Sequence, residues 1–225
     1  MSSYAQFLAI RGGFNWSSVT MKDVTNFYKG YSSIEINNKS IFRIQAGINA
    51  EFPLGPNLKW LTMETGLIIK TKGSDFSATG HGGKYNSTGY LFSNFDGETN
   101  LYYLDIPLSV KMYTSVEKTS LYFEFGTYLG IGLAGTQSHT SNDPQGSRKI
   151  TWGFLPENDY KRFDYGISMG IGMNIKPIQI GLSYYLGLAN IDPSGQRIAH
   201  NHVFSVFMEF MILRKDKSLD TRNKL

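Results

Sequence analysis

No cysteine occurs among the 225 residues, which excludes both disulfide frameworks and thiolate chemistry. Proline is scarce, at 7, and no run approaches the ~18 apolar residues of a transmembrane helix. Charge is also muted. The formal net charge is +4, and part of it sits in the tail "LRKDKSLDTRNKL", so no basic face is available for nucleic acid. What the chain has in quantity is glycine (24), tyrosine (14) and phenylalanine (15), with 41% hydrophobic residues overall. That composition is not one of disorder, which needs low hydrophobicity and high charge; it fits many short strands in one domain. At the start, Ser3 and Ala5 just before Gln6 resemble the small-x-small end of a processed export signal.

A period of two recurs in eight segments, at 7–16, 42–52, 60–72, 101–113, 121–135, 162–175, 178–190 and 202–212. In "FRIQAGINAEF", Phe42, Ile44, Ala46, Ile48, Ala50 and Phe52 share one face, and Arg43, Gln45, Gly47, Asn49 and Glu51 share the other. Across all eight, the apolar face carries no charge. The opposite face holds Arg11, Arg43, Lys70 and Lys111 with Glu51, Glu64, Asp105, Glu124, Asp164 and Glu209. The connections alternate between long (17–41, 73–98, 136–161, 191–201) and short (53–59, 114–120, 176–177), which sends every long loop to one rim. An even strand count lets the first and last strands pair and close the sheet. The fold expected is all-β: an eight-stranded antiparallel up-and-down transmembrane β-barrel, with short turns at one rim and longer loops at the other.

Alternation alone does not say which face is outside, because a soluble lipocalin-like carrier would invert it. Volume separates the two. An eight-stranded barrel has an interior just wide enough for side chains or one small ligand. Phe14, Trp16, Phe42, Phe52, Phe123, Phe125, Tyr184, Phe204 and Phe210 with their aliphatic neighbours are too bulky for it. Glycines such as Gly47, Gly130, Gly132, Gly172 and Gly181 lie on the charged face, where they weaken a solvent-facing strand but make room in a crowded lumen. The charged, glycine-rich face is therefore expected inside, and Trp16, Phe52 and Trp60, near strand ends, at the lipid interface.

The candidate chemistry is sparse. Gly130, Gly132 and Gly135 in "LGIGLAGT" match the spacing of a dinucleotide loop, but no helix pattern follows to receive a phosphate, so lumen packing is the expected role. Of His81, His139, His200 and His202, only the H-x-H pair 200–202 has metal-ligand spacing, with Asp192 as a third donor; the simpler reading is a hydrated rim. Ser168, Ser183 and Ser205 lie in alternating strands without a nucleophile elbow. The six inward carboxylates are expected to form an ion-pair network with the inward cations, because buried charge is costly unless paired. No catalytic residue, cofactor site or metal site is assigned.

Several strings, "AIRGGFNWSS" (9–18), "LTMETGLIIKTKG" (61–73), "YLDIPLSVKMY" (103–113), "DYGISMGIGM" (164–173) and "IGLSYYLGLANI" (180–191), resemble the PorT-like outer-membrane β-barrel domain common in Bacteroidota. The resemblance implies a porin-like barrel in the bacterial outer membrane and carries no catalytic residues. It is accompanied by one departure: Phe210 is followed by Met211, Ile212, Leu213 and a charged tail, where such barrels commonly finish on an aromatic. The expected organisation is one barrel domain over 1–213 with a charged tail at 214–225. The leading functional expectation is a non-enzymatic structural or surface-interaction role. Loops 73–98 and 136–161 offer Phe76, Tyr85, Tyr90, Phe92, Phe95, Trp152, Phe154 and Tyr160 to protein, glycan or lipopolysaccharide, or fold these rings over the mouth. Two alternatives stay open, a narrow channel for ions or small solutes and a soluble lipocalin-like ligand carrier.

Overall fold

In a computed structural model of the chain, residues 7–23, 34–80, 95–115, 119–140 and 146–214 are described. They form ten strands: β1 (Phe7–Asp23), β2 (Ile34–Lys39), β3 (Ile41–Pro53), β4 (Leu61–Gly80), β5 (Phe95–Tyr113), β6 (Thr119–Thr140), β7 (Gly146–Lys149), β8 (Phe163–Ile175), β9 (Ile178–Gly187) and β10 (Arg197–Arg214). Eight of them pair in the ring β1–β3–β4–β5–β6–β8–β9–β10, and β10 returns antiparallel to β1. The closed ladder leaves the membrane-crossing part without an edge, which is what lets a sheet sit in hydrocarbon.

The outer wall carries the apolar alternation. Phe14, Phe42, Ile44, Leu108, Phe125, Met169, Leu182 and Phe210 are all exposed, while their strand neighbours Asn15, Gln45, Asn49, Ser109, Glu124, Ser168, Ser183 and Glu209 are buried. The period-two pattern is thus inverted relative to a water-soluble barrel, and a lipocalin-like carrier, which needs an apolar interior, is not what the chain builds. Trp16 and Phe42 meet edge-on at 5.3 Å, Phe14 stacks on Phe42 at 5.1 Å, and Trp16 lies 5.8 Å from Phe204. These rings form one sector of an interfacial girdle at the long-loop rim. Trp60 is exposed at the opposite rim, and Phe52 is half-buried near it.

The short connections fall where expected, at 54–60, 114–118 and 176–177. The long-loop rim differs from the sequence expectation. β1, β4, β5, β6 and β10 run several residues beyond the apolar alternation, so that Asp96 still pairs with Thr140 and Asp75 with Glu98. Backbone ladders need no apolar side chains once they leave the lipid, and the alternation marked the membrane band rather than the strand ends. Two further strands appear at this rim: β2 continues the line of β3 and pairs with the end of β4, and β7 pairs with the end of β6. The loops 73–98 and 136–161 are consequently shorter than expected. Residues 1–6 with Ser3 and Ala5, His81, and the loop rings Tyr85, Tyr90 and Phe92 lie outside the described residues, as does most of the 214–225 tail.

Candidate functional site

The lumen is filled by two layers of ion pairs beneath a hydrophobic lid. The lower layer, toward the short turns, is built on Arg11 of β1. Its Nε donates to Glu209 Oε1 at 2.6 Å and its NH2 donates to Glu64 Oε1 at 2.8 Å, while the guanidinium plane lies 3.9 Å from the Phe207 ring. Asn49 donates to both carboxylates, at 3.1 Å to Glu64 and 2.6 Å to Glu209. Lys111 pairs with Glu64, lies 3.6 Å from Glu209 and 3.8 Å from Glu51, and donates to Gln179 at 3.1 Å. The Tyr113 hydroxyl closes the layer, donating to Glu51 and accepting from Gln179 Nε2 at 2.9 Å. Charges removed from water cost several kcal/mol each unless they are paired, and here each charged group meets an opposite charge, although the buried Arg11 NH1 and Asn49 Oδ1 make no hydrogen bond.

The upper layer uses aromatic faces as well as bonds. Lys72 bridges Asp105 and Asp164 at 2.9 Å each, and lies 4.6 Å from the Tyr103 and Tyr128 ring centres. Lys70 stands 3.4 Å from Asp105 and 3.0 Å from the centre of the Tyr185 ring. Asp164 also accepts from Asn201 at 3.0 Å. A ring face attracts a cation through its quadrupole, so tyrosine replaces part of the lost hydration.

Above both layers, Val19, Leu101, Tyr103, Ile150, Tyr160, Ala189, Ile191 and Ala199 form a buried apolar cluster with Met21 and Trp152 against it. Ile150, Trp152 and Tyr160 come from the connection between β7 and β8, which folds into the mouth. Lys161 N donates to Ile191 O at 2.8 Å and so docks this connection on the one between β9 and β10. Of the two expectations for the loop aromatics, packing over the mouth holds for the buried Tyr160 and the half-buried Trp152, whereas Phe154 stays exposed. Phe76, expected in a loop, is in β4, and its ring covers Gly97 of β5.

The three glycines of "LGIGLAGT" answer to this packing. A Cβ at Gly130 would come within 2.7 Å of Asp105 Oδ1, one at Gly132 within 2.5 Å of the Trp152 ring, and one at Gly135 within 2.8 Å of Ile150. β6 continues through them to Thr140, so among the described residues no helix N-terminus faces them. Lower in the lumen, Tyr122 lies over Gly172 and Gly181 in the same way.

All ten charged residues expected on the inner face share that face. Arg43 sits higher than the rest, at the mouth, where it pairs with Glu98 and donates to Asn100 at 2.6 Å. Lys72, the last residue of the 60–72 segment and of the same parity as Lys70, joins them on this face as a further charge. The tyrosine faces that hold the lysines carry no sequence signal beyond their parity. The H-x-H histidines do not converge with Asp192: His200 Nδ1 meets Ala189 O at 2.9 Å, His202 Nδ1 meets the Tyr184 hydroxyl at 3.1 Å, and Asp192 binds Ser194 and Arg197. Among the described residues no three such groups gather to hold a metal. Ser205 donates to Asn15 at 2.8 Å.

A closed antiparallel ring with an apolar exterior and a paired, charged interior defines a transmembrane β-barrel of the bacterial outer-membrane type. The profile of the outer membrane protein beta-barrel domain matches residues 5–192, and the chain belongs to that family. Among solved structures, OprG of Pseudomonas aeruginosa is similar at 9% identity, covering 94% of this chain and 98% of its own, with a TM-score of 0.46. Ail of Yersinia pestis, solved with the heparin analogue sucrose octasulfate, is 12% identical over 93% and 100%, with a TM-score of 0.36. The outer membrane protease OmpT of Escherichia coli is 8% identical over 94% and 99%, with a TM-score of 0.37. No curated protein sequence matches the chain.

Proposed function

We propose that this outer-membrane barrel is non-enzymatic and closed, and that it acts as a structural or surface-interaction element through its long-loop rim. One observation carries the reading: the side chains of Arg11, Glu64, Lys72, Lys111, Asp164 and Glu209 are all 0% exposed. Groups lining a hydrated path would present surface to water, and a catalytic carboxylate would need a route for substrate. A narrow channel would require both layers and the lid to repack. The exposed aromatic residues of the rim support contacts with protein, glycan or lipopolysaccharide. We extend the same proposal to the finer PorT-like grouping within Bacteroidota, and to a single barrel domain over 1–213 with 214–225 as a tail.

The test is single-channel recording of the refolded protein in planar bilayers. The expected trace stays at background, and stepwise conductance would overturn the closed-barrel reading.

A further inference from the structure

The connection between β7 and β8 hooks over the wall of the barrel. Trp152 points inward, covering Gly132 and meeting Tyr103 edge-on at 5.5 Å. Two residues later, Phe154 is 67% exposed and Leu155 59% exposed, and the Phe154 ring stacks at 6.5 Å on Phe163, the first outward residue of β8. Phe163 pairs in register with Ile131 of β6, and Leu133, exposed two residues further along that strand, belongs to the same upper edge of the lipid-facing wall.

This exposed pair is held in place rather than left loose. Asn158 Oδ1 accepts from Leu155 N at 3.2 Å, Asn158 N donates to Leu155 O at 3.0 Å, and Gly153 N donates to Tyr160 O at 3.0 Å. Asp159 accepts from the Thr151 N–H and hydroxyl at 2.8 Å each, and takes both ends of the Arg148 guanidinium at 2.6 and 2.8 Å. A loop so bonded presents Phe154 and Leu155 in a fixed direction. An ordered, water-facing Phe-Leu pair continuous with a wall that already faces acyl chains has one fitting occupant, the membrane itself.

We propose that the Phe154–Leu155 tip is a lipid-seated anchor, inserted at the acyl-chain boundary of the outer leaflet. It deepens the loop-borne role proposed above by giving this loop the bilayer as its partner, and it ties the lid inside the mouth to the lipid outside it. Interfacial aromatic and apolar groups prefer that depth, where one side of the ring is dry and the other wet.

The absence of cysteine makes the test clean. Full-length Leu155→Cys, with Ser147→Cys as an aqueous control and Met169→Cys as a mid-wall control, is folded into phosphatidylcholine vesicles and challenged with a membrane-impermeant maleimide. Ser147 lies in exposed β7, and Met169 is exposed on the barrel wall. Labelling at position 155 is expected to be slower than at 147 by roughly tenfold, approaching the rate at 169, with the difference abolished in denaturant. A nitrobenzoxadiazole probe at 155 is expected to be quenched by lipid carrying a spin label near the top of its acyl chain. Equal labelling at 155 and 147 overturns the proposal. Protection at 155 that grows with the protein-to-lipid ratio also overturns it, in favour of a second copy of the chain. Slow labelling at 169 together with a heat-modifiable gel shift verifies insertion in each variant. Conductance bears on the closed lumen alone and labelling at 155 on the anchor alone, so the two proposals fail separately.

Discussion

Arg11 and Arg148 make similar bonds in opposite surroundings. Arg11 forks between Glu64 and Glu209 inside the lumen, with no side-chain exposure on any of the three. Arg148 grips Asp159 with two parallel bonds on the rim, with its own side chain 51% exposed. In the lumen every broken bond leaves a charge with no water to turn to, whereas on the rim solvent takes the place of a lost partner. The same guanidinium–carboxylate chemistry is thus a condition of folding in one place and a local clamp in the other.

The largest effect is expected from Arg11→Met, which leaves Glu64 and Glu209 buried with Lys111 as the remaining cation of that layer; a loss of about 3–5 kcal/mol is expected from urea unfolding in vesicles. A loss below about 1 kcal/mol would show that water enters the layer and would erase the contrast. Lys70→Met sharpens the comparison within the lumen. Asp105 keeps Lys72 at 2.9 Å and methionine retains the length to reach the Tyr185 ring, so about 1–2 kcal/mol is expected in the same assay. A cost equal to that of Arg11→Met would mean that the tyrosine faces do not substitute for bonds.

The smallest effect is expected on the rim, where Arg148→Ala should cost less than about 1 kcal/mol of global stability. Burial of Asp159 works to raise its pKa, but the hydrogen bonds from Arg148 and Thr151 and the guanidinium charge outweigh it and hold the carboxyl below the ordinary aspartate range. A carboxyl depressed in the folded state adds stability that is present above the unfolded-state value and is lost as pH falls through the folded value. The clamp should therefore hold at neutral pH and release only below the usual aspartate range. Amide hydrogen exchange of Thr151, whose N–H is bonded to Asp159, reads the release, and Arg148→Ala should shift it to higher pH. Release already at neutral pH in the unaltered chain would break this reading of the clamp.

Much of the barrel is legible in the sequence. The alternation in "FRIQAGINAEF" fixes which side chains of β3 meet lipid, and the bulk of Phe14, Phe123 and Phe125 set against Gly130 and Gly132 decides which side is inside. The hidden parts share a cause. The rim extensions of β4, β5 and β6 leave the lipid and lose the apolar rhythm, while their backbone ladder continues on hydrogen bonds that any side chain permits. Trp152, Phe154 and Tyr160 stand within nine residues of one another and read alike, yet Tyr160 is buried, Trp152 packs against the lid and Phe154 faces outward.

By itself the sequence determined the sidedness of the wall, the closure of the sheet and the division between short and long rims, because these follow from a strict two-residue period and the sizes of adjacent side chains. Tertiary structure alone decided which carboxylate holds which cation, that tyrosine rings shelter Lys70 and Lys72, and that one loop turns back into the mouth. Those contacts join residues far apart in the chain and on separate strands of the ring, such as Lys111 of β5 with Glu209 of β10 and Lys72 with Asp164. They are set by the curvature of a closed ring, which brings opposite strands face to face across a space only a few side chains wide.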